Sequence, residues 1–129
     1  MARLRDIVIH CANAGALARF WAQALDGYAV RPYDAREIER LAKLGLTPET
    51  DPAVAVDGPG PTLWLQQISQ KKTQRNRVHL DLACSDRAAE ITRLRALGAT
   101  VREERDGFTV LQDPEGNEFC LLDPDPEPE

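Results

Sequence analysis

The stretch Asn76-Arg-Val-His-Leu-Asp-Leu-Ala-Cys84 constrains this chain more than any other. Val78, Leu80 and Leu82 alternate strictly with His79 and Asp81. That period of two marks a strand with one apolar face and one face turned to something polar. Asp86 is placed to cap a helix over residues 87–97, with Ala88, Ile91, Leu94 and Leu97 as its apolar stripe and Gly98 as its stop. Residues 100–103 read as a short strand, Asp106-Gly107 as a two-residue hairpin turn, and residues 108–112 as the returning strand. Asp113-Pro114-Glu115-Gly116 has the chemistry of a type I turn, and residues 117–122 read as the last strand.

The first half repeats that order. Residues 4–11 form an expected strand with Ile7, Ile9 and Cys11 on one face and Asp6, Val8 and His10 on the other. Asn13 caps a helix whose stripe is Leu17, Phe20, Trp21, Ala24 and Leu25, and Gly27 ends it. Trp21 is assigned to the core. Residues 28–31 are a short strand. Asp34 and Glu37 form a capping box for an additional helix to residue 45, with Ile38, Leu41, Ala42 and Leu44 as its stripe. Residues 53–56 and 62–68 are strands separated by Gly58-Pro-Gly-Pro61, which no helix crosses. In the second of them, parity groups Trp64 with Gln66, and Leu63 with Leu65 and Gln67. Residues 69–77 are polar and basic without periodicity, and read as a solvated linker. Asp6–Cys11 overlays the run from His79 to Cys84, and the run from Ala24 to Val30 overlays Ala96 to Val101 with one residue inserted. Both halves therefore read βαβββ, a repeat that suggests two sheets curling around a shared cleft.

Composition narrows the partners. In 129 residues, 43% are hydrophobic and 29% charged, which fits an ordinary folded domain. The formal charge of −5 argues against nucleic acid as a partner. With no apolar run of membrane-spanning length, no membrane partner is expected, and with no signal-peptide core the expected location is cytoplasmic. Three cysteines without a C-x-x-C pair fit reduced thiols. No P-loop, dinucleotide fingerprint or nucleophile elbow is present.

Together, FWAQALDGY, NRVHLDL, AAEITRLRALGATV and DPEGNEFCLL resemble the vicinal oxygen chelate superfamily, in particular its bacterial glyoxalase-like proteins. The resemblance implies an α+β fold in which two βαβββ modules form curled mixed sheets around a cleft. It makes residues 1–122 one domain, with module one at 1–70, a linker at 71–75 and module two at 76–122, while the alternating acids and prolines of 123–129 read as a disordered tail outside the resemblance. Enzymes of the superfamily hold a divalent metal on the first and last strands of the modules, positions that fall here on Asp6, Gln66, His79 and Cys120. Relatives with this turn usually read DPxGxxxE, whereas Cys120 occupies the glutamate's place and Glu118 shares its parity. The resemblance also implies a homodimer.

The residues support two roles each. His79 is either a metal ligand or a hydrogen-bonded histidine lining a polar cleft. Asp81 either orients a ligand or sits at the rim, and Asp6 either faces inwards with a partner or pairs with a surface arginine. Cys120 as a small apolar filler competes with Cys120 as a donor. Trp64 and Phe108 either stack on a ligand or fill core. His10 shares the polar face with Asp6, and joins Asp6, Trp64, Gln66, His79, Asp81 and Cys120 in the expected ligand-binding set. The functional expectation is a glyoxalase-like protein acting on a small oxygenated molecule, with lyase, isomerase or dioxygenase chemistry. A divalent cation would polarise a substrate oxygen, and Asp6 or Glu118 would move a proton. The alternative is a metal-free binding protein of the bleomycin-resistance type.

Overall fold

The computed structural model describes residues 1–124, so most of the expected acidic tail, 125–129, lies outside the described residues. The chain forms two compact units that divide between Lys71 and Lys72.

The first unit runs β1 (Asp6–Cys11), α1 (Ala14–Ala24), β2 (Ala29–Val30), α2 (Ala35–Lys43), β3 (Ala53–Asp57) and β4 (Thr62–Gln67). Its sheet has the order β1-β4-β3-β2, with the first and last strands parallel and the others antiparallel. The Asn13 side chain accepts from the Ala16 N–H and starts α1. Leu17, Phe20 and Trp21 are buried with Val54, Val56, Leu63 and Leu65, and Phe20 meets Trp21 edge-to-face. Asp34 caps α2 through the Glu37 N–H, as the capping box predicts. The stripe of α2 is only partly used: Leu41 is buried, whereas Ile38 and Leu44 are exposed. Gly58 is required by close approach, because a Cβ there would stand 2.4 Å from the Tyr28 ring.

The second unit repeats the pattern as β5 (Leu80–Ala83), α3 (Arg87–Leu97), β6 (Thr100–Arg105), β7 (Phe108–Gln112) and β8 (Glu118–Leu122). Its sheet order, β5-β8-β7-β6, is the order of the first, again with a parallel pair formed by the first and last strands. The βαβββ repeat is thus a repeat of topology as well as of sequence, and the fold class is α+β. Asp86 caps α3 through the Ala89 N–H, and Gly98 ends it at a φ of 120° that a side chain would oppose. Asp113 is buried, and its carboxylate accepts from the Glu115 and Asn117 N–H groups, so it holds the turn into β8.

Two expectations change in detail. The alternating stretch is a strand only from Leu80, so Val78 precedes the ladder and lies 76% exposed rather than on the apolar face. Strand β6 extends to Arg105 with an irregularity between Val101 and Glu103, a bulge that periodicity does not reveal.

Candidate functional site

In a sheet, residues directly opposite one another share a face. In the second unit Asp81 lies opposite Cys120, and Cys120 opposite Val110. Leu80, Phe119 and Leu111 are matched in the same way on the reverse face, where Arg87 of α3 also reaches the Thr109 hydroxyl at 3.3 Å. One face is therefore covered by α3. The other presents Asp81 and Cys120, with His79 immediately ahead of β5.

These three side chains converge. The His79 Nδ1 stands 3.2 Å from an Asp81 carboxylate oxygen, and one donor atom from each of His79, Asp81 and Cys120 lies within 4.8 Å of the others. His79 and Asp81 are about half exposed, whereas Cys120 is buried. Burial raises the Cys120 thiol pKa, and the charge of Asp81 together with its hydrogen bond to the thiol raises it further. A cysteine so placed is a thiol rather than a ready nucleophile at neutral pH.

The approach to His79 is held by Glu118. Its buried carboxylate takes paired hydrogen bonds from Arg75, the shortest 2.7 Å, and a third from the Asn76 N–H at 3.2 Å. The Asn76 side chain returns the bond by accepting from the Glu118 N–H, and Arg102 stands 3.6 Å away. Arg75 holds the Glu118 pKa down at about 2, against the usual carboxylate range. The carboxylate is thus a structural anion clamped by cations, with little basicity for moving a proton. Arg75 was hidden in the basic stretch read as linker. The available signal was a buried carboxylate on the last strand, which needs a counter-ion from somewhere.

In the first unit, Asp6 lies opposite Thr62, Val8 opposite Trp64, and His10 opposite Gln66. Asp6 and Gln66 are therefore four positions apart along the sheet, about 13 Å at strand rise, while Gln66 neighbours His10. The Asp6 carboxylate pairs with Arg5 at 2.8 Å. The Arg31 guanidinium lies 5.0 Å from the centre of the Trp64 ring and binds Asp57 through two nitrogens at 2.7 and 2.9 Å. Asp57 also accepts from the Thr62 hydroxyl, and the pair with Arg31 lowers its pKa. Of the expected site residues, then, the structure brings His79, Asp81 and Cys120 together, and sets His10 beside Gln66.

A separate pocket of about 310 Å³ lies in the second unit, lined by Arg87, Ala88, Ile91, Glu104, Arg105 and Thr109. Its arginines are engaged: Arg87 with Asp123 and Thr109, and Arg105 with Glu103.

The His79–Asp81–Cys120 set offers nitrogen, oxygen and sulfur. Such a mixture fits a cation that accepts a thiolate and fits an oxygen-seeking cation poorly. Asp81 supplies the carboxylate near Cys120, because Glu118 is committed to Arg75.

The model of the glyoxalase-like domain matches residues 6–122, and the chain belongs to that family, within the vicinal oxygen chelate superfamily. Solved structures share the fold. A glyoxalase/bleomycin resistance protein/dioxygenase family enzyme from Burkholderia phytofirmans superposes with a TM-score of 0.65 at 18% identity, covering 95% of this chain and 98% of that one. Glyoxalase I from Leishmania major gives 0.65 at 18% identity over 95% and 87%. A point mutant of the fosfomycin resistance protein FosX from Listeria monocytogenes, complexed with Mn(II) and a dihydroxypropylphosphonic acid, gives 0.68 at 12% over 96% and 91%. No curated protein sequence matches the chain. Among the described residues, no helix is long and apolar enough to cross a membrane.

Proposed function

We propose that this protein binds, and transforms, a small oxygenated molecule, and that its reactive patch is the face of the second sheet bearing His79, Asp81 and Cys120. The observation that carries the reading is the convergence of three different donors in a family whose structural relatives include a lyase and a resistance protein that holds Mn(II). His79, Asp81 and Cys120 would hold a divalent cation, which when bound supplies Lewis acidity to a substrate oxygen. The chain's own part is to position that oxygen. The clamp of Arg75 and Asn76 on Glu118 fixes the backbone that leads to His79. Glu118, held as an anion by Arg75, is poorly suited to the proton-transfer role in this reading. Reactions of lyase, isomerase and dioxygenase type all remain within what one such site supports. We further propose cytoplasmic residence, in keeping with the odd cysteine count, and a homodimer, which light scattering showing a monomer at micromolar concentration would refute.

A second reading, metal-free sequestration of a ligand, is favoured by one observation: Cys120 is buried, so its sulfur is less open to an incoming cation than the half-exposed His79 and Asp81. The two readings separate in one experiment. The protein is titrated with panels of α-hydroxyketones, catechols and epoxides, with and without chelator, while His79 and Trp64 are followed by NMR. Saturable shifts at His79 that vanish with chelator support the first reading. Saturable binding indifferent to chelator supports sequestration, and no binding at His79 from any panel overturns the proposed patch.

A further inference from the structure

The identity of the donors carries the chelate reading one step further. Here the position after the Asp113–Gly116 turn that the resemblance assigns to a carboxylate is a cysteine, and the nearest carboxylate on that strand, Glu118, is bound by Arg75 at 2.7 Å. The carboxylate that does reach Cys120 comes from the opposite strand, Asp81. We propose that His79, Asp81 and Cys120 form a three-donor site, complete within the second unit, that selects zinc and cations of similar thiophilicity over manganese.

This inference rests on the chelate reading above but makes its own claim about the choice of cation. Zinc bonds of about 2.0–2.3 Å to nitrogen, oxygen and sulfur place tetrahedral donors on the order of 3.3–3.8 Å apart. The His79–Asp81 pair is already at 3.2 Å, and the widest spacing in the set is within 4.8 Å. Closing the set requires donor movement of about 1 Å, which the half-exposed His79 and Asp81 side chains can supply by rotation while buried Cys120 stays in place. On binding, the sulfur–hydrogen bond is exchanged for a sulfur–metal bond and the proton leaves to solvent, so no oxidant or reductant is needed. Three protein donors leave a fourth position for water or a substrate oxygen, the arrangement of reactive rather than closed zinc sites. Sulfur sets the selectivity, because manganese prefers carboxylate and carbonyl oxygen. Cys84, the second unit's other cysteine, follows β5 and donates to the Leu122 carbonyl instead.

The test uses the full chain, prepared metal-free and without a histidine tag. Cobalt(II) is added as a spectroscopic probe, and zinc and manganese are added as competitors. The expected result is one equivalent of cobalt with an intense thiolate-to-cobalt band, displaced by stoichiometric zinc and untouched by a hundredfold excess of manganese. The band disappears in Cys120→Ser and persists in Cys84→Ser. Asp81→Asn, a change at an exposed side chain that leaves the fold intact, weakens cobalt binding at least tenfold. Cobalt bound without the band, or displaced equally by manganese, overturns the proposed selectivity and leaves the chelate reading standing. Absence of cobalt, zinc and manganese binding overturns both, and the ligand titrations then decide between the patch and its sequestering alternative.

Discussion

Superposing the two units strand by strand sets Val8 and Trp64 of the first where Asp81 and Cys120 stand in the second, each pair directly opposed across the parallel first and last strands. Thr62 takes the place of Glu118, and Arg31 that of Arg102. The helix-covered faces are interchangeable in kind: Leu63, Leu65, Trp21 and Phe20 on one side, Phe119, Leu121, Leu111 and Leu94 on the other. The open faces are not. In the first unit the central pair is apolar, and Arg31 lies over Trp64 while holding Asp57. In the second the central pair is an acid and a thiol with a histidine beside them. One scaffold therefore carries a stacking platform and a donor cluster at equivalent points. The helix-covered faces hold the fold, and the opposite faces are where the two units differ.

The comparison breaks most visibly in the cores. Trp21→Ala and Phe119→Ala should each cost about 3–5 kcal/mol, since both side chains are fully buried. Chemical denaturation would measure this, and a large inequality would mean that the covered faces are not equivalent. Next comes Asp81→Val, which installs the first unit's residue. It should lower zinc affinity about a hundredfold, on the order of 2.7 kcal/mol, with little loss of stability because Asp81 is half exposed.

Removing the clamp acts on stability instead. Glu118→Gln should cost about 1–2 kcal/mol, less than the full value of a charged hydrogen bond because Arg75 lies largely in solvent. It should also broaden the His79 resonances, which Thr62→Ala in the first unit would leave untouched. The same clamp sets an acid response. Because the folded Glu118 pKa is depressed to about 2, its contribution is complete above the ordinary carboxylate range and is lost as pH falls toward that value. Thermal melts of wild type and Glu118→Gln should therefore converge in acid. Arg31→Ala should cost about 1 kcal/mol or less, since both partners in the ion pair are partly exposed. Smallest of all, Val8→Asp should stay within about 0.5 kcal/mol, because Val8 is exposed. It should create no zinc affinity, because its opposite number is Trp64. Isothermal titration of that variant would check the point.

Local chemistry made most of the fold legible. Asn13, Asp34 and Asp86 each read as helix caps and each accept the expected N–H. Asp106-Gly107 and the Asp113–Gly116 turn bound the strands as their residue types require. Alternation separated Leu80 and Leu82 from Asp81, and placed Cys120 in the last strand. What local pattern could not carry is partnership over distance. Nothing near Arg75 indicates that its guanidinium belongs to Glu118, and Val78 continues the alternation past the point where hydrogen bonding begins. Strand register is equally non-local. Asp6 and Gln66 share a parity, yet pairing sets them four positions apart, whereas His79, Asp81 and Cys120 meet because β5 runs beside β8.

That neighbouring of β5 and β8 ties ligation to the order of folding. The two strands are the opening and closing segments of their unit, so their pairing is the most costly loop closure it makes and is expected late. A small molecule or ion that grips Asp81 and Cys120 at once has no purchase on the nascent or partly unravelled chain. It binds only when the ends have met, and by mass action it holds them there. Occupancy would then slow hydrogen exchange of the β8 amides, and would lengthen the lifetime of this unit under proteolysis.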